Sequence, residues 1–182
     1  SEVTAINPGA HSVQVTDTET GEAYTLTYDH LILSPGALAS RPPIDGLDSP
    51  RVRTLRTVDD ALVLREASGT RAVVLGAGFI GIEAVEALAH RGFETHLVEF
   101  AEHVLPPLEV EMATLVTQEL RGLGVHVHAG VAAQSINHGD DHESVTLSDG
   151  TVLSADVIVL STGVRPDTAF AEAAGIETER GY

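Results

Sequence analysis

Residues 71–81 read Arg71-Ala72-Val73-Val74-Leu75-Gly76-Ala77-Gly78-Phe79-Ile80-Gly81. A short apolar run rich in β-branched residues and closed by glycine suits a strand buried on both faces. Beyond it, Ile80, Ala84, Ala87 and Leu88 recur at helical spacing, which predicts a helix with one apolar stripe. Gly92 ends that helix, and Thr95-His96-Leu97-Val98-Glu99 reads as the next strand. Strand, glycine-rich turn, helix and strand in this order form a βαβ unit, whose two strands lie parallel.

The glycine spacing, Gly-x-Gly-x-x-Gly, has a physical meaning in this position. Gly76 permits a tight turn, Gly78 lets an anionic group approach the backbone, and Gly81 lets the helix pack closely on the strand. The helix start then offers unpaired N–H groups and a positive dipole end to phosphates, with Ala77, Phe79 and Ile80 flanking them. Glu99 ends the second strand, 21 residues after Gly78. Its carboxylate suits the ribose hydroxyls of adenosine and repels a 2′-phosphate. No Arg or Lys lies between Phe100 and Glu109 to offset that repulsion. NAD(H) is therefore expected over NADP(H), held by Gly76, Ala77, Gly78, Phe79, Ile80, Gly81, Glu99 and the adjoining Phe100. A Rossmann-like turn that binds nothing is the alternative at this point.

Working outward, Pro106-Pro107 precedes a second helix, about Glu109 to Arg121, closed by Gly122 and Gly124. Val125 to His128 reads as a third strand. Short strands around Gln134–Ile136, Val145–Leu147 and Val152–Leu153, separated by turns near Gly139 and Gly150, predict an antiparallel meander. Asp156–Leu160 is a final buried strand that enters Ser161-Thr162-Gly163. Upstream, Val13–Val15 and Tyr24–Tyr28 form a hairpin. His30-Leu31-Ile32-Leu33 suits a buried strand. Pro35, Pro42, Pro43 and Pro50 make the following stretch an extended connection. Thr57 is placed to cap a short helix, with Asp59 and Asp60 in its first turn. The fold expected is α/β: a Rossmann-like parallel sheet with helices, plus an antiparallel three-stranded β-meander.

Composition narrows the function classes. The formal net charge is −17, which repels phosphate backbones and anionic lipid, so neither nucleic acid nor membrane is an expected partner. No apolar run approaches the roughly 20 residues that span a bilayer, and Ser1-Glu2-Val3-Thr4 does not open a signal peptide. A cytoplasmic location is expected. The absence of a starting Met suits a piece of a longer chain. There are no cysteines, so thiolate and disulfide chemistry have no residue here.

Four segments, in order, carry a family resemblance: Tyr28-Asp29-His30-Leu31-Ile32-Leu33-Ser34-Pro35-Gly36-Ala37, Gly76 to Glu83, Val104-Leu105-Pro106-Pro107-Leu108-Glu109, and Ser161-Thr162-Gly163-Val164-Arg165-Pro166. Together they resemble the pyridine nucleotide-disulfide oxidoreductases. The nearest likeness is to the branch with one redox cysteine: coenzyme A-disulfide reductase, NADH oxidase, NADH peroxidase and persulfide reductase. The resemblance implies an NAD domain inserted in an FAD domain. Residues 1–49 would be a partial FAD-domain segment, residues 50–160 the NAD-binding domain, and residues 161–182 the start of the return to the FAD domain. The likeness between Leu31–Gly36 and Ile158–Gly163 would then mark the two junctions.

By the same resemblance, Phe79 falls where an aromatic gate stands beside the flavin, Glu83 where an acid lies near the nicotinamide, and Gly163 where backbone approaches it. A core aromatic, a helix-face carboxylate and a plain turn glycine are the respective alternatives. The FAD fingerprint, the redox cysteine, the flavin-ribityl segment and the dimerisation domain are not in this sequence. The chain is thus expected to be a fragment that binds NADH, holds no FAD and is inactive alone, with no catalytic residue of its own and the redox Cys upstream. The parent is expected to be a homodimer passing hydride from NADH to flavin. A ferredoxin or rubredoxin reductase, or a non-catalytic NAD module, are the other readings.

His126 and His128 alternate on one strand and share a face, a spacing that can seed a metal site. At a strand edge it reads instead as solvated imidazoles, as His138-Gly139-Asp140-Asp141-His142 reads as a solvated turn. No metal is expected.

Overall fold

A computed structural model describes residues 1–179; the last three residues of the 161–182 segment lie outside the described residues. The elements in chain order are β1 (Glu2–Asn7), β2 (Ser12–Thr16), β3 (Ala23–Thr27), β4 (Ala37–Ala39), β5 (Val52–Thr54), α1 (Val58–Glu66), β6 (Arg71–Leu75), α2 (Phe79–His90), β7 (Glu94–Glu99), α3 (Val110–Gly122), β8 (His126–Ala129), β9 (Ala133–His138), β10 (Glu143–Leu147), β11 (Val152–Ala155), β12 (Val157–Leu160), β13 (Val164–Pro166) and α4 (Ala169–Ala173). They divide into two compact units, one of residues 1–38 with the described residues from 164 onward and one of residues 39–163.

In the first unit β1, β2 and β3 form an antiparallel sheet. Ile6, Val13 and Val15 make its small core, covered in part by Tyr28 and Phe170. The expected strand at His30–Leu33 is not formed: these residues belong to no strand, and Ile32 is 90% exposed. A strand exists only when a neighbour takes up its backbone groups, and no strand among the described residues pairs with this one.

The second unit is a three-layer sandwich. Its five-stranded sheet runs β5-β12-β6-β7-β8, parallel throughout. Successive β6 side chains point to opposite faces. Ala72 and Val74 pack with Ala84, Val85 and Leu88 of α2. Val73 and Leu75 pack with Val145, Leu147 and Leu153 of the β9–β11 meander. The stripe that α2 buries is Gly81, Ala84, Val85 and Leu88. It is offset from the expected one, since Ile80 is 41% exposed and Ala87 lies outside the core. The proline-rich stretch is anchored to this unit. Leu47 is buried in the meander-side core, and Asp45 bridges Ser135.

The short strand β5, absent from the sequence reading, docks beside β12. A buried carboxylate holds its approach. Glu143 of β10 accepts from Ser49 Oγ at 2.7 Å, from Arg51 Nη1 at 3.3 Å and contacts His138 Nδ1 at 2.8 Å. Burial raises the Glu143 pKa, but the bonds from His138, Ser49 and Arg51 outweigh it and the carboxyl stays below its ordinary value. The Thr57 cap forms as expected, with Asp60 completing a reciprocal capping box.

A second ion pair ties β6 to β12. Asp156 accepts from Arg71 Nη2 at 2.6 Å and from the backbone N–H groups of Thr70 and Arg71 at 2.9 and 3.0 Å. The Arg71 guanidinium, followed by those two N–H groups, holds the Asp156 carboxyl well below the usual carboxylate range despite its burial. Asp156→Asn is therefore expected to lower stability by about 2 kcal/mol at neutral pH, the scale of charge-assisted bonds to a half-buried group. A depressed carboxyl pKa stabilises the fold above its unfolded value and loses that contribution as pH falls. Urea unfolding of both proteins should thus show a gap that is full at pH 7 and narrows below about pH 4.

Candidate functional site

The strand order reverses at β6. From there the chain steps outward through β7 to β8, then returns to the other side as β12. Loops leaving two adjacent parallel strands in opposite directions open a crevice at the strands' carboxyl ends. Gly76 follows β6 and Ser161 follows β12 at that point. A cleft of about 870 Å3 opens there, lined by Gly76, Gly78, Phe79, Ile80, Glu99, Phe100 and Gly163 among others.

The three glycines of the turn serve different purposes. Gly76 has φ +100, and a side-chain carbon there would overlap the carbonyl of Ser161. Gly81 has no room either: a side-chain carbon would overlap the carbonyl oxygen of Gly76. At Gly78, by contrast, a side-chain carbon would meet nothing within 4 Å. Gly76 and Gly81 keep the turn and helix tight, and Gly78 leaves open space over backbone. No side chain caps the start of α2, so its N-terminal N–H groups and positive dipole end can take an anion.

Glu99 is held at the mouth of the turn. Its Oε2 accepts from the Ala77 N–H at 2.6 Å and its Oε1 from the Ala101 N–H at 2.8 Å. Each carboxylate oxygen keeps a further lone pair, so the group can still accept hydroxyl donors. Phe79 and Phe100 stand 66% and 80% exposed at the cleft wall; Phe79 is no core aromatic. Ala77 and Gly81 are buried behind the turn and do not line the cleft. Glu83 is exposed on α2 and does not line it. Gly163, at φ +98, does.

Part of the cleft came from residues that the sequence reading passed over. Pro42, Pro43 and Ile44 form one wall and Val131, Ala132 and Ala133 another. Ser161 Oγ donates at 2.9 Å towards the carbonyls of Leu75 and Gly76, and Thr162 Oγ1 donates to Ser40 O at 3.1 Å. These hydroxyls fasten the β12 end to the glycine turn. The repeated Ser-x-Gly after an apolar run was the one signal that could have drawn attention to Ser161.

The family model of pyridine nucleotide-disulphide oxidoreductases matches residues 1–182. The chain belongs to that family. Among its relatives, a rubredoxin-NAD(+) reductase of Alcanivorax borkumensis is 38% identical over 160 residues, which are 86% of this chain and 42% of that one. A NAD-dependent persulfide reductase from A. fulgidus is similar in structure at 34% identity, with a TM-score of 0.89, over 99% of this chain and 34% of that one. A water-forming NADH oxidase from Lactobacillus brevis, solved bound to NADH, is similar at 27% identity and a TM-score of 0.87, over 94% and 39%. The chain spans less than half the length of the relatives it matches. No helix among the described residues is long and apolar enough to cross a membrane.

Proposed function

We propose that this chain is the NAD(H)-binding portion of an FAD-dependent NADH oxidoreductase. The observation that carries the reading is one cleft holding an open glycine, an uncapped helix start and a fixed carboxylate together. Gly76, Gly78 and the start of α2 would receive the pyrophosphate, and Glu99 the adenosine ribose hydroxyls. Phe79 and Gly163 would flank the nicotinamide end, with Glu83 further along α2. NADH supplies a hydride that the flavin of the intact enzyme takes up, so the protein's share here is binding, orientation and electrostatics.

Residues 1–38 with the segment from Val164 onward, the first compact unit, are read as partial segments of the flavin domain, and residues 39–49 and 161–163, expected there from the sequence, go with the nucleotide-binding unit. The unpaired, exposed Leu31-Ile32-Leu33 supports this, since such a run suits a strand awaiting a sheet. The flavin, the redox cysteine and the dimer contacts would come from the remainder of a longer chain. A disulfide, persulfide, peroxide or oxygen acceptor follows from the single-cysteine likeness. The similarity to a rubredoxin-NAD(+) reductase favours a second reading, in which electrons leave to an iron–sulfur carrier.

The test uses the 182-residue chain itself. Calorimetric titration with NADH is expected to saturate at one equivalent, and the purified protein is expected to show no visible flavin absorbance and no NADH oxidation with added acceptors. No saturable NADH binding would sink the site. Stoichiometric flavin in the purified sample would sink the division of cofactors.

A further inference from the structure

We propose that a second site, on the meander-side face of β7 and β8, binds a divalent transition-metal ion of the zinc class. His96 and His126 are directly paired in register across these parallel strands. Glu94 lies two residues before His96, and His128 two after His126, so all four side chains share one face. One ligand atom from each of Glu94, His96 and His126 falls within 4.8 Å of the others. The His96 ring stacks on His126 with centroids 4.7 Å apart, and His128 lies beside it with its centroid at 5.3 Å.

Two distances give the arrangement its chemistry. His96 Nε2 faces Glu94 Oε1 at 3.8 Å, too long for a hydrogen bond. It is near the roughly 3.4 Å that separates two ligand atoms of a tetrahedral zinc with bonds of about 2.0–2.1 Å. On its other edge, His96 Nδ1 meets His128 Nε2 at 3.0 Å. With that proton on His96 Nδ1, its Nε2 carries a free lone pair. His128 then acts as the outer partner that fixes the tautomer and ring orientation of a ligating histidine.

Two imidazoles and one carboxylate suit zinc, nickel or copper, and not magnesium or calcium, which prefer all-oxygen shells. With three protein ligands, a fourth position stays open to water or a substrate atom. Glu94 and Glu99 sit at opposite ends of β7. The ion would therefore lie away from the glycine turn, at the opposite end of the sheet.

Calorimetric titration of the chain with ZnCl2 in a non-chelating buffer tests this. One ion per chain is expected, uncompeted by a hundredfold excess of Mg2+. His126 is exposed, so His126→Gln should fold as before and weaken zinc binding at least tenfold. Glu94→Gln should weaken it severalfold. His142→Gln, on the hairpin turn, should leave it unchanged. Co2+ substitution should give the visible bands of a tetrahedral site, and these should vanish in His126→Gln. The site is overturned if the native chain shows no saturable zinc binding, if His126→Gln binds as tightly, or if His142→Gln loses as much.

Discussion

Gly76→Ala is expected to destabilise the protein by about 3–5 kcal/mol and to abolish NADH binding, whereas Gly78→Ala is expected to spare stability and weaken NADH alone. The two glycines sit two residues apart in one turn, yet their surroundings differ. At Gly76 the backbone has φ +100, and an added side-chain carbon would overlap the Ser161 carbonyl and lie 3.0 Å from Thr162 Cα. The turn cannot step aside. Gly76 N–H donates to Val98 O at 2.8 Å, while Gly76 O accepts from Ser161 Oγ and Ser161 N–H donates to Leu75 O. Moving Ser161 breaks the ties to β12, and changing φ breaks the tie to β7. Strain of this kind and forced overpacking each cost about 1–3 kcal/mol, a large share of a typical 5–15 kcal/mol total. Gly78 has an extended φ of −74 and open space where the methyl would go. The methyl there would cover backbone that the pyrophosphate needs, so at least a tenfold loss of NADH affinity is expected with melting temperature nearly unchanged. Thermal melts and NADH titrations on the pair decide it. Native-like NADH affinity in Gly78→Ala would place the ligand elsewhere.

What could be read from the chain in advance follows the range of the forces involved. The β6 strand, the glycine turn, α2 and β7 are local, and their periodicities and spacing are written in consecutive residues. The Thr57–Asp60 box is local as well. The misreading at Leu31–Leu33 has a definite cause. An apolar run records that a strand is buried somewhere, not that its partners lie in the same stretch of chain. Val52–Thr54 carries no apolar run and owes its strand to pairing with β12, together with the Ser49, Arg51 and Glu143 bonds. The cleft walls at Pro42, Pro43 and Ala132 come from loops, whose positions tertiary packing decides. The histidine site shows the same limit most clearly. His126 and His128 were visible as an alternating pair, and their i, i+2 spacing favours a shared face. That His96 and Glu94 stand beside them depends on the β7–β8 register, a pairing across about thirty residues of sequence that no local pattern encodes.

Glu99→Gln is expected to collapse the preference for NADH over NADPH from roughly a hundredfold to within about tenfold. The carboxylate's position makes the native preference large. Both of its oxygens are engaged by backbone donors, Ala77 N–H at 2.6 Å and Ala101 N–H at 2.8 Å, so the charge cannot swing away from an approaching phosphate. Two unit charges about 4 Å apart interact by about 4 kcal/mol at an effective dielectric near 20, ample for a hundredfold effect at 1.4 kcal/mol per decade. No Arg or Lys from Phe100 to Glu109 stands ready to offset it. Glutamine keeps the size and one acceptor oxygen but removes the charge, and its NH2 gives up one of the two backbone bonds because a donor cannot accept from an N–H. NADH should therefore weaken only about three- to tenfold, through loss of charge-assisted bonds to the ribose, while NADPH should tighten. Competitive titration of both nucleotides against the native and Glu99→Gln chains measures the ratio directly. Equal or tighter NADPH binding by the native chain would refute the role given to Glu99. An unchanged ratio in the variant would show that the discrimination arises from another part of the cleft.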